Sequence, residues 1–171
     1  MDLVVGHELV LTTAETVIWE PDPVVSTAPP DETLRRLDVL INLVNPLIPS
    51  DGLAEIIPHT VGIANAGSSG IVNMNAVAEL AMPRLFRLSG GLTRSAQEVI
   101  DEAVADLVGL GPGLTPSGDD LLGGMLVALR AMQNTASIFS VDALADCVTR
   151  HAAAETTRIS AAMLEQSAKG Y

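Results

Sequence analysis

The chain has 171 residues, 48% of them hydrophobic, with 21 acidic against 9 basic side chains and a formal charge of -12. This length suits a single domain, 1–171, able to bury a sizeable core. The charge argues against nonspecific nucleic-acid binding, which needs cations to displace phosphate counterions, and disfavours docking on an anionic membrane surface.

Residues 3–20 read as two strands. Leu9, Val10 and Leu11 lead into a Thr-Thr-Ala-Glu turn, and Thr16 to Trp19 follow. Their β-branched content and short length predict a hairpin. Pro21, Pro23, Pro29 and Pro30 make an extended linker, so 1–30 is a β element with a Pro-rich tail. From Asp31 the spacing of Leu34, Leu37, Leu40, Ile41 and Val44 predicts a helix that Pro46 ends. Ser50 is placed to cap a short helix to Ile57. Residues 59–73 read equally as a buried strand with a turn or as a polar loop.

A helix is expected from Asn75 to Leu88, closed by Gly90-Gly91, with Pro83 kinking or splitting it. Another opens at Thr93 and runs to about Val108. A helix of roughly 16 residues starts at Ser117 and a last one spans Val141 to about Ala168, stopped by Gly170. The expected fold class is therefore α+β: an N-terminal β-hairpin or small sheet followed by a predominantly helical body, 31–171. Aromatics are only 2% of the residues, so close packing through Ala and Gly is expected. The single cysteine, Cys147, excludes an internal disulfide and reads as a buried thiol in a helix. No basic-then-apolar leader and no apolar run of about 18 residues is present, so a cytoplasmic protein without membrane segments is expected.

Chemistry concentrates at Gly109-Leu-Gly-Pro-Gly-Leu-Thr-Pro-Ser-Gly-Asp-Asp120. These twelve residues hold four glycines, two prolines and two adjacent carboxylates. Such a loop is costly to order, since glycine loses the most backbone freedom. Free N–H groups of Gly111, Gly113 and Gly118 beside a helix N-terminus would form an anion-binding concavity, with the Thr115 and Ser117 hydroxyls adding donors. The lysine of nucleotide-hydrolase loops is absent, and Asp119 and Asp120 stand in its place. Two readings follow. A Mg²⁺ ion held by Asp119 or Asp120 would bridge to the anion, or one Asp would accept from a substrate N–H. The rival account is helix capping: Ser117 as N-cap with Asp120 reaching back, both acids favoured by the helix dipole.

A second polar segment interrupts the last, alanine-rich helix. His151, Glu155 and Arg158 share a face by spacing, and Thr156, Thr157 and Arg158 would lie opposite the glycine loop to hold an anionic substrate. A solvated face with a Glu155–Arg158 pair explains the same residues. His7 and His59 lack metal-ligand spacing.

The run from Gly109 to Leu122 resembles the signature of the AllH-like family, and Glu155-Thr-Thr-Arg-Ile-Ser160 is similar to that family's second motif. The family is associated with a subunit of oxamate carbamoyltransferase in anaerobic allantoin degradation. The resemblance implies transfer of a carbamoyl group between oxamate and phosphate, by way of oxalurate and carbamoyl phosphate. It also implies two partner proteins. The family pattern continues further than Tyr171 with another glycine-rich segment, so the chain is expected to lack that extension. On this reading the Gly111–Gly118 loop, Thr115 and Ser117 bind phosphate or carboxylate. Asp119 and Asp120 orient the carbamoyl amine or hold Mg²⁺, and Thr156, Thr157 and Arg158 complete the site. The alternatives are a noncatalytic scaffold subunit, with homo-oligomerisation an open option, or a small-molecule sensor.

Overall fold

The structure, a computed structural model, describes residues 2–5, 9–12, 22, 27–59, 74–132 and 140–171. Six α-helices carry the described chain: α1 (Pro30–Val44), α2 (Ala76–Arg94), α3 (Gln97–Leu107), α4 (Ser117–Met132), α5 (Val141–Glu155) and α6 (Arg158–Lys169). Short 3-10 turns cover Asn45–Leu47 and Ala54–His59.

The fold class is all-helical, which corrects the expected α+β assignment. Strand pairing among the described residues is confined to Asp2–Val5 against Leu9–Thr12, an antiparallel ribbon of four residues a side. Two strands of that length cannot form a layer, and among the residues whose burial is described the hydrophobic cluster is built from the helices and their connecting turns. The expected strand at Thr16–Trp19 lies outside the described residues, as do residues 60–73. The strand read at Leu9–Leu11 is present, but so short a β element does not carry the weight of a fold class.

The core forms where α2 crosses α3, and where α4, α5 and α6 pack on each other and on α3. Leu88, Leu107, Leu122, Leu126, Leu144 and Leu164 are its largest fully buried members, and Ala78, Ala81, Ala103 and Ala152 let the helices approach. The stripe of α1 is different: Leu34, Leu37, Leu40 and Leu43 are all exposed.

Three helix boundaries differ from expectation. Helix α2 runs through Gly90-Gly91 and stops at Ser95, whose φ of 52° is left-handed. Buried Gly91 serves the α2–α3 crossing instead, since a Cβ there would stand 3.0 Å from Ile100 Cγ1. Thr93 does not open a helix; its hydroxyl donates to Ser89 O at 2.9 Å inside α2. The expected last helix is two. Thr156 and Thr157 are extended, and the Thr157 hydroxyl caps α6 by accepting from the Ser160 N–H at 3.1 Å. A threonine that offers the backbone this local partner competes with helix continuation. Elsewhere expectation and structure meet: α4 has 16 residues, and α6 ends at left-handed Gly170.

The start of α2 is pinned from a distance. Asn75 Oδ1 accepts from the N–H groups of Val77 and Ala78, each at 3.0 Å. The Asn75 amide donates to Gly52 O at 2.9 Å and to Glu55 Oε2 at 3.0 Å. This cap fastens the 50–55 turn to α2 and brings Gly52 beside Ser117 in the glycine-rich loop.

Candidate functional site

Asp119 organises the loop. It is buried, 2% exposed, in the first turn of α4. Its Oδ1 accepts from the Gly109 N–H at 2.8 Å. Its Oδ2 accepts from the Ser160 hydroxyl at 2.6 Å and from the Thr156 hydroxyl. One carboxylate thereby ties the start of the loop, the α5–α6 break and the first turn of α6 to α4. The Thr157 hydroxyl adds a second stitch by donating to Leu114 O at 2.5 Å. The three bonds to the Asp119 carboxylate are charge-assisted, a class about twice as strong as neutral ones such as the Thr157 stitch.

The loop glycines serve this closure. Gly109 has a left-handed φ of 72°, and a Cβ on it would meet Glu155 O at 2.7 Å. Gly118 is tighter: a Cβ there would lie 2.0 Å from Leu107 O, while its N–H donates to Leu110 O at 2.8 Å. The loop is folded back on its own flanks, which is why it needs residues without side chains. Ser117 does not act as the N-cap; the N–H groups of Asp119 and Asp120 both bond to Pro116 O. The reach-back expected of Asp120 is not made either, because its exposed carboxylate has no hydrogen bond among the described residues.

Three concavities surround the closed loop. Between α4 and α6 lies a cavity of about 170 Å³, walled by Asp119, Asp120, Gly123, Gly124, Ser160 and Ser167. Gly123 brings the two helices together there, with its Cβ position 3.1 Å from Ser167 Oγ. A groove of about 610 Å³ follows α6, bordered by Arg158, Ile159, Met163, Ser167 and Tyr171. It shares the Met163 and Ser167 walls with the first cavity. On the far side, Pro112 and Ser117 face Gly52, Asn75 and the first turn of α2 across about 510 Å³.

The expected site residues are thus divided. Asp119, Thr156 and Thr157 meet in one network, but with their hydroxyl protons and carboxylate oxygens already engaged. Asp120 and Arg158 border adjoining concavities and remain free to bind: Arg158 is exposed and makes no hydrogen bond or ion pair among the described residues. Ser117 faces the α2 side, and Gly111, Gly113 and Thr115 lie on the loop between. Gly118 is buried beneath it. The three partners of Asp119, one backbone N–H and two hydroxyls, all donate to its carboxylate. A Mg²⁺ ion, which demands oxygen ligands in octahedral geometry, would have to displace hydrogen bonds already made there. The role of Ser160 escaped sequence reasoning; its signal was a serine in an alanine-rich helix three residues past the Thr157 cap.

A second polar cluster joins α3 to α5. Asp101 Oδ1 accepts from the Cys147 thiol at 3.1 Å, lies 3.2 Å from His151 Nε2 and pairs with Arg150. His151 Nδ1 lies 3.2 Å from Glu155 Oε1. The Cys147 and His151 hydrogen bonds hold the Asp101 carboxyl below its ordinary value. Burial, followed by the neighbouring carboxylate, pushes the Cys147 thiol from 9.0 up to about 12. A thiol that ionises more readily in the unfolded chain withdraws its stabilisation once pH passes the unfolded value. The native state is therefore expected to lose stability as pH rises from about 9 to about 12. Urea midpoints measured across that window will show the slope, and Cys147→Ala should flatten it.

Residues 107–171 match the model of a protein family described as oxamate carbamoyltransferase subunit AllH. The resemblance read from the Gly109–Leu122 motif thus holds over the segment carrying the loop, the Asp119 network and α4 to α6. No curated protein and no solved structure matched the chain. Among the described residues, no helix is long and apolar enough to cross a membrane.

Proposed function

We propose that this chain serves as a subunit of an oxamate carbamoyltransferase assembly and seats a small, amide-bearing anion along α6. The observation that carries the reading is the shared wall between the two concavities. An acceptor, Asp120, lines one, and a free guanidinium, Arg158, lines the other. Both lie inside the matched segment. A molecule such as oxamate has an amide at one end and a carboxylate at the other. Asp120 would accept from the amide N–H, and Arg158 would take the carboxylate, for which its planar fork is suited. A cavity of about 170 Å³ holds only a handful of heavy atoms, which favours so small a ligand.

Asp119 has a positioning role in this scheme. By fixing Gly109, Thr156 and Ser160 it sets the spacing of α4 and α6, between which the ligand sits. The group would contribute by orientation and charge complementarity, without a covalent intermediate. Carbamoyl phosphate would enter by the same amide contact and leave its phosphate near Arg158 or the loop N–H groups. The scaffold alternative rests on one specific observation: Gly109, Gly118, Thr156 and Thr157 are used in closing the loop.

The test uses the chain assembled with its partner subunits. Asp120→Asn and Arg158→Gln are expected to lower carbamoyl transfer by about 10–100-fold, the worth of a charged hydrogen bond, with folding and assembly unchanged. Full transfer activity in both variants would leave the scaffold reading standing.

A further inference from the structure

The geometry points to a divalent transition-metal site, best matched to Zn²⁺, formed by Asp101, Cys147 and His151 between α3 and α5. One ligating atom from each residue, a carboxylate oxygen, Sγ and a ring nitrogen, lies within 4.8 Å of the other two. Cys147 and His151 are four residues apart on α5 and so occupy one face of it. Asp101 enters from α3, which packs against that face. Sulfur, imidazole nitrogen and carboxylate oxygen together form a donor set that suits zinc and disfavours Mg²⁺ or Ca²⁺.

The spacing is close to what such an ion requires. Zinc bonds of about 2.0–2.3 Å at tetrahedral angles separate neighbouring ligands by roughly 3.3–3.6 Å. The contacts here are 3.1 Å from Sγ to Oδ1 and 3.2 Å from Nε2 to Oδ1. The third separation, from Sγ to the imidazole nitrogen, is within 4.8 Å, so side-chain adjustment is what brings the three atoms to those spacings.

The far side of the imidazole supports the same assignment. Metal-ligating histidines generally donate their other ring N–H to a carboxylate, which fixes the tautomer and orientation. Glu155 Oε1, at 3.2 Å from His151 Nδ1, stands in that position. The protein supplies three ligands and leaves the fourth place to water, reached from the exposed side of Asp101. Arg150 also contacts Asp101, but it is 62% exposed and can swing into solvent at little cost. On binding, Cys147 gives its thiol proton to solvent and ligates as thiolate. The ion would clamp α3 to α5 about one helical turn before the α5–α6 break, a site distinct from the loop and α6 concavities.

Cobalt titration of the metal-stripped full chain tests this directly. Cys147 is the only cysteine, so a thiolate-to-cobalt charge-transfer band has one possible source within the chain. Wild type is expected to develop that band together with tetrahedral visible absorption, to saturate at one ion per chain, and to lose both on adding Zn²⁺. Asp101→Asn and His151→Gln should weaken binding at least tenfold, and Glu155→Gln about 10–100-fold. Circular dichroism of each variant separates lost ligation from lost folding. No charge-transfer band in wild type would overturn the assignment. So would a band of undiminished affinity in folded Asp101→Asn and His151→Gln, which would reduce the event to a thiol binding cobalt alone.

Discussion

Gly118→Ala is expected to destabilise the protein by about 3 kcal/mol or more, the upper end of overpacking penalties. The added Cβ would lie 2.0 Å from Leu107 O, and the obstacle is backbone at the end of α3, not a side chain that can turn away. Relief requires moving the loop off α3, which breaks the 2.8 Å bond from the Gly118 N–H to Leu110 O. Against a typical stability of about 5–15 kcal/mol such a loss is large. Gly124→Ala, six residues along the same helix, should do the opposite. Nothing lies within 4 Å of its Cβ position, so alanine gains about 1 kcal/mol of helix propensity. Urea unfolding of the two variants measures the contrast, and shifts of equal size and sign would refute the close-packing account of Gly118.

Asp119→Ala is the second large effect, about 3–5 kcal/mol of lost stability, as for other broken buried charge networks. The substitution strands three donors: the Gly109 N–H and the hydroxyls of Thr156 and Ser160. An unsatisfied buried donor costs about 1–3 kcal/mol, softened where water enters. The adjacent Asp120→Ala should stay within about 1 kcal/mol, since it forfeits only a helix-dipole interaction at the surface. Chemical denaturation ranks the pair. Equal, small effects from both would mean that Asp119 is not the fastener of the loop. Transfer activity separates them in the other sense: Asp120→Ala should keep the fold and lose function.

The site was partly legible before the structure. Four glycines in twelve residues announced a loop under unusual demand, and the Glu155–Ser160 segment announced a second polar locus. Their physical connection was not legible. Two neighbouring aspartates look alike in sequence, and both fit a helix first turn. Burial decides between them, and burial belongs to the packing of α4 on α6. The Asp101–Cys147–His151 cluster shows the same limit. Spacing of four residues pairs Cys147 with His151, but Asp101 stands 46 positions before the thiol it meets.

By itself the sequence determined the helical periodicity of the body, the start of α4 near Ser117, the stop at Gly170 and the glycine-rich loop on which the family resemblance rests. These are local properties, set by propensity, capping and residues that tolerate a positive φ. Tertiary structure alone decided the rest. β-branched content and short length at the N-terminus suggested a hairpin or small sheet, but the described strand pairing is one ribbon of four residues a side beside a helical body. The last helix broke at Thr156-Thr157 because both hydroxyls found better partners on the loop and at the α6 cap. Hydrogen bonds and close contacts between residues distant in sequence chose which carboxylate holds the fold and which remains free to act.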